Sequence, residues 1–135
     1  NFTGPNQRRG YFIPEMSHKL KKIKFITGLN KFRDFIDIDD LMDSLKLLIK
    51  KEFEPPINIS SGKKINLINI CKLLVPKNKI DKITFKKKRG EDIYGNNSLL
   101  KKLGKKRFKN INNIIKIYKK WKILFFLEMI GLVIF

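Results

Sequence analysis

The chain has 135 residues, 42% of them hydrophobic, which suits one packed domain or a piece of a larger one and excludes a disordered tail. Lys and Arg number 31 against 12 acids, for a formal net charge of +19, so a phosphate-rich partner has to be considered. One cysteine (Cys71) and one histidine (His18) exclude a disulfide framework and a Cys- or His-rich zinc centre, and no metal site is expected.

Residues 1–10 are polar and include Pro5, unlike a secretory segment, so a cytoplasmic location is expected. The sequence does not open on Met, which fits a fragment. Met16, Leu20 and Ile23 recur at helical spacing behind Pro14, a residue tolerated in a first turn, and predict a helix over about 13–22. Lys24–Thr27 reads as a short strand closed by Gly28, and Phe35, Ile36 and Ile38 form a second apolar stretch. Asp39 or Asp40 is the expected N-cap of a helix with Leu41, Leu45, Leu48 and Ile49 on one face, ending near Lys51 before Pro55-Pro56. Ile57 and Ile59 predict a buried strand, Ser60-Ser61-Gly62 a turn, and Ile65, Leu67, Ile70, Leu73 and Leu74 a helix with Cys71 as an ordinary core residue.

Lys82–Phe85 fits another strand, Ser98–Leu103 a short helix stopped by Gly104, and Ile111–Trp121 a longer helix. Strands alternating with helices give an α/β or mixed α+β class. The last thirteen residues, Ile123–Phe135, are apolar except for Glu128, against the roughly 20 that a bilayer span needs, so a membrane is not expected as a partner.

Five of the twelve acids (Asp34, Asp37, Asp39, Asp40 and Asp43) crowd behind Arg33. Carboxylates at a loop-to-helix junction cap N–H groups, and an arginine beside them is suited to grip a phosphate with two parallel hydrogen bonds. The eight glycines are scattered and form neither G-x-G-x-x-G nor a P-loop. Tyr118-x-x-x-Lys122 has the spacing by which a lysine can lower the pKa of a tyrosine, but in so lysine-rich a chain that spacing arises by chance, and no catalytic residue is assigned.

Several phrases fall in register. Asn1-Phe2-Thr3-Gly4-Pro5 and GYFIPEM (10–16) come first, then RDFIDIDDL (33–41). INISSG (57–62) follows, and Arg89-Gly90-Glu91-Asp92 with Asn97-Ser98-Leu99-Leu100 and Leu103-Gly104 closes the series. In order and spacing, from Asn1 to about Trp121, they resemble the carboxyl-terminal, substrate-binding part of the extended short-chain dehydrogenases, the NAD(P)-dependent sugar-nucleotide epimerases and dehydratases. The resemblance implies substrate contacts from Asn1, a diphosphate grip by Arg33 and Arg89, and aspartates that cap a helix and orient Arg33. It implies a nucleotide-diphosphate sugar as ligand, and NAD or NADP as cofactor of the complete enzyme but none in these residues. It also implies a Rossmann half, with the family's catalytic Tyr-x-x-x-Lys, as a missing partner before Asn1.

Three departures stand out. The family's G-x-G turn reads Ser60-Ser61-Gly62, Lys105 stands where a tryptophan is usual, and nothing after Trp121 has a counterpart. The expected organisation is therefore residues 1–121 as a sugar-nucleotide-binding part, inactive alone, and 122–135 as an apolar tail without an assigned role. The alternative from another class is a small basic nucleic-acid-binding protein. It rests on net charge alone, since lysine is spread along the chain and no recognition motif occurs, so no specific nucleic acid is expected.

Overall fold

A computed structural model describes residues 1–52, 56–86 and 88–130. Its elements run β1 (Phe2–Thr3), α1 (Phe12–Lys19), β2 (Phe25–Thr27), β3 (Phe32–Arg33), β4 (Ile36–Asp37), α2 (Ile38–Ile49), β5 (Ile65–Asn66), α3 (Leu67–Leu74), α4 (Lys77–Ile80), β6 (Thr84–Lys86), α5 (Ser98–Lys102) and α6 (Ile111–Met129). This is the expected alternation of short strands and helices. The strands pair in twos: β1 parallel to β4, β2 parallel to β6, and β3 antiparallel to β5. Single bridges from Asn30 to Arg89 and from Arg33 to Ile93 lay the 89–93 segment beside β3.

The core forms where α1, α3 and α6 meet. Ile13, Met16 and Leu20 from α1 and the turn after it pack with Ile70, Cys71 and Leu74 of α3 and Ile114 and Ile115 of α6. Burial pushes the Cys71 thiol up to about 12, which leaves it protonated and inert at neutral pH, as a core residue should be.

Several boundaries differ from the sequence reading, each for a local reason. α2 is capped by Asp37, whose side chain accepts from the Asp39 N–H, so Ile38 is already helical. The buried face of α2 is Asp40, Ser44 and Leu48, while Leu45 and Ile49 are exposed. Polar anchoring of Asp40, described below, turns the helix away from the face its leucines would choose. Pro55 lies outside the described residues, and α2 has already ended at Ile49. Asn66 caps α3 by accepting from the Ile68 N–H, which leaves Ile65 to pair with Arg33 as β5. Ile57 and Ile59 are half-buried but belong to no strand. Their segment is fastened at points, where Asn97 Nδ2 donates to the Ser60 carbonyl and Asp34 holds the turn that follows. α6 does not stop at Trp121 but continues to Met129, and 131–135 lie outside the described residues.

Candidate substrate cleft

Arg33 ends β3 between two rails. On one side it pairs with Ile65 of β5, and on the other with Ile93. The second rail is locked in register by Gly90 N–H donating to the Asn30 carbonyl, Ile93 N–H to the Phe32 carbonyl, and Phe32 N–H to Asp92 Oδ1 at 2.9 Å. Arg33 Nη1 then donates to the Phe32 carbonyl at 2.8 Å and the Glu91 carbonyl at 2.5 Å. One edge of the guanidinium is thus fixed by backbone. Among the described residues the rest of the fork has no protein partner, and no carboxylate pairs with it.

The aspartates therefore do not orient Arg33 as expected. Asp34, adjacent in sequence, points to the opposite side. Its Oδ1 accepts from the Ser61 N–H and hydroxyl, and its Oδ2 from the Gly62 N–H at 2.7 Å. The other four face lysines. Lys109 Nζ reaches Asp37 at 2.5 Å and Asp39 at 2.6 Å, and its backbone N–H donates to Asp40. Lys105 Nζ reaches Asp40 at 3.0 Å and Asp43 at 3.2 Å. The lysine in the family's tryptophan position is thus the partner of a buried carboxylate. Residue order alone does not reveal this pairing, because the partners lie more than sixty positions apart; the four-residue spacing of Lys105 and Lys109 is its only trace.

Asn1 is tied down beside Arg33. Its carbonyl accepts from the Ile36 N–H, and its side-chain Nδ2 donates to the Asp34 carbonyl at 3.1 Å. Asn1 and Arg33 line one cleft of about 270 Å³ together with Lys31, Phe12, Met16, Leu29, Phe35 and Leu67. Phe12 and Phe35 form its apolar wall, with ring centroids 5.8 Å apart. No carboxylate lines it, so its chemistry is that of an anion receptor with an apolar side. Lys31 was not singled out in the sequence; it reaches the cleft from the turn before β3. Arg89 does not line this cleft. It stands on the neighbouring rail with its side chain 81% exposed, 3.8 Å from Asp92.

The Tyr118–Lys122 pair is not arranged for base chemistry. Burial holds the Tyr118 hydroxyl above its ordinary value despite a hydrogen bond with Ser17, and Lys122 Nζ donates to Ser17 Oγ at 3.0 Å. Nor is the Ser60-Ser61-Gly62 turn a phosphate cradle. The glycine turn that leads into β5 and α3 has its Gly62 N–H, and that of Ser61, taken by Asp34, where a phosphate cradle would leave them open.

The sequence matches no protein-family model and no curated protein. Solved structures do resemble it. One is TunA, an NAD-dependent NDP-hexosamine 5,6-dehydratase involved in tunicamycin biosynthesis, with 20% identity, 92% of this chain and 44% of that chain covered, and a TM-score of 0.73. A second is RMD from Pseudomonas aeruginosa complexed with NADPH, at 18%, 92%, 46% and 0.71. A third is MlghC, a GDP-mannoheptose C4 reductase from Campylobacter jejuni with NADP bound, at 20%, 90%, 47% and 0.70. The chain spans less than half the length of each of these. Its fold is that of part of the NAD(P)-dependent sugar-nucleotide dehydratases, epimerases and reductases, the extended short-chain dehydrogenases.

Proposed function

We propose that these residues are the sugar-nucleotide-binding portion of an NAD(P)-dependent epimerase, dehydratase or reductase. The observation that carries the reading is the cleft shared by Asn1 and Arg33, in which a guanidinium fixed along one edge keeps its other donors free. A nucleotide diphosphate would be gripped by Arg33 with Lys31 beside it, and the sugar would meet Asn1. Arg89, exposed on the next rail, would close over the diphosphate from outside the cleft. The nicotinamide cofactor and the catalytic tyrosine would come from a Rossmann half outside these residues, so this portion alone is expected to bind without turnover. A cytoplasmic location goes with this reading.

Calorimetry with UDP, dTDP and GDP tests it on the 135-residue chain. At least one should bind, and Arg33→Ala should weaken it by about 1.5–3 kcal/mol, the scale of charge-assisted hydrogen bonds. Arg33→Lys should restore only part, because a point charge cannot replace the fork. NADH should show no saturable binding. Equal affinity of the native chain and Arg33→Ala would remove Arg33 from the site.

A further inference from the structure

The first half of α6 and the second behave as different objects. Ile114 and Ile115 are sealed in the core, whereas beyond them Trp121 is 41% exposed, Ile123 61%, Phe125 55%, Phe126 58%, Met129 68% and Ile130 50%. An apolar surface of this kind, contiguous along a helix end, marks a contact site. The charge is ordered along the same axis. Lys116, Lys119, Lys120 and Lys122 are all exposed in the middle turns, and Glu128 is the only acid on the helix. Tyr118 and Trp121 lie among the lysines, and the apolar end follows.

We infer that the end of α6 docks on an anionic lipid surface, with Phe125, Phe126 and Met129 entering the acyl boundary and the lysines meeting the headgroups. Lysine interleaved with tyrosine and tryptophan, followed by aliphatic residues and phenylalanine, matches a bilayer's charged interface and the acyl region beneath it. No helix among the described residues is long and apolar enough to cross a membrane, and the contact inferred is an interfacial one. A second copy of this chain is the competing occupant, and dependence on protein concentration without lipid would identify it.

The middle of the helix adds a receptor for a headgroup. A cleft of about 410 Å³ opens there, lined by Arg9, His18, Tyr118, Trp121, Lys122 and Phe125 among others, with no carboxylate. It lies on the opposite side of α1 from the Arg33 cleft, since Pro14 and His18 face it while Phe12 and Met16 face the other. The field in it is positive. After burial, the charges of Arg9, Lys22 and Lys122 hold His18 below its ordinary value, against Glu15 alone. This inference does not rest on the proposed function.

Trp121 is the only tryptophan, so its emission reports the contact directly. The native chain would be titrated with vesicles of phosphatidylcholine alone and of phosphatidylcholine with phosphatidylglycerol at 3:1. The expected result is a blue shift on the anionic vesicles, at least tenfold tighter than on neutral ones and weakened by salt. Ile123→Ser with Phe126→Ser changes exposed side chains only, so the circular dichroism should be unchanged while the shift is lost. Lys119→Glu with Lys120→Glu should abolish the preference for anionic lipid. Three outcomes overturn the inference: no shift with anionic vesicles; a shift that grows with protein concentration when no lipid is present, which would mean self-association; or a shift produced equally by inorganic phosphate and untouched by Ile123→Ser with Phe126→Ser, which would mean that the cleft binds a free anion.

Discussion

Asp34 is buried and accepts three hydrogen bonds from the Ser60–Gly62 turn, 27 and 28 residues away in sequence. Truncating it strands two backbone N–H groups and a hydroxyl, so Asp34→Ala should cost roughly 3 kcal/mol in a urea unfolding series. Ser60, beside that turn, makes the contrast. Its hydroxyl is buried with no partner among the described residues, so Ser60→Ala should be neutral or slightly stabilising in the same assay. Gly62 is held at φ +73 with the Asn97 side chain 2.7 Å from where a Cβ would sit, which explains why this member of the turn is still glycine. The crowding of acids behind Arg33 was legible in the sequence, and so was Arg33 as the anion ligand to test. Their lack of contact was not legible, because it depends on Glu91 holding Arg33 and on Ser61 and Gly62 holding Asp34, partners 27 to 58 residues away.

The α2 amino-terminus and the loop before α6 form an electrostatic lock, and its pH response has a definite sign. Burial disfavours the Lys109 ammonium, yet its hydrogen bonds to Asp37 and Asp39 and their charges outweigh this and raise it from 10.5 to about 12. A raised lysine contributes stability that is complete below its unfolded value and is lost as pH climbs from 10.5 to about 12. The hydrogen bond to Lys109, then its charge, holds the Asp39 carboxyl below its ordinary 3.8, so that contribution is present above 3.8 and fades as pH falls below it. For this lock, melting temperature followed by circular dichroism should fall above pH 10.5 and below pH 3.8. Lys109→Met should reduce the alkaline fall, leaving the share of Lys105, which burial disfavours but which its hydrogen bonds to Asp40 and Asp43 raise. At neutral pH it should also destabilise by about 3 kcal/mol, because Asp37, with a side chain only 2% exposed, loses its cation. Among the elements, α1, α3 and β2 were legible from apolar spacing, while β5 and β3 were not. A two-residue strand carries no periodicity, and Ile65 is assigned to a strand only by Arg33 across from it. The end of α6 escaped for another reason: the sequence shows an apolar tail, but whether such a tail folds onto the core or leaves it depends on packing that periodicity does not encode.

A net charge of +19 requires an explanation for the whole molecule. Four of the acids are engaged by Lys105 and Lys109, so the surface shown to solvent is richer in uncompensated lysine than the totals suggest. DNA or RNA should therefore bind weakly and without regard to sequence. Fluorescence anisotropy with random and selected oligonucleotides at two salt concentrations should give one steep, shared salt dependence. A site preferred by about 10³-fold or more at near-physiological salt would instead establish a specific reader and displace the sugar-nucleotide reading. The fold class was legible from the alternation of elements, and three of the five phrases in register, those of Asn1, Phe12 and Arg33, meet at the candidate cleft. The second cleft and the lysine lock required the chain to be folded, since each joins residues about 65 to 120 positions apart.

The lock has a bearing on how the chain is made. Synthesis runs from amino to carboxyl end, so Asp37 and Asp40 are added long before the cations that stabilise them, Lys105 and Lys109. The core likewise stays open on one side until Ile114 and Ile115 arrive. β2 must wait for β6, whose residues follow it by about sixty positions. A growing chain therefore has no stable intermediate in which the early half is finished. Its carboxylates and apolar faces stay unpaired until Lys105 to Ile115 have been added, so these residues are expected to fold late rather than in step with the sequence.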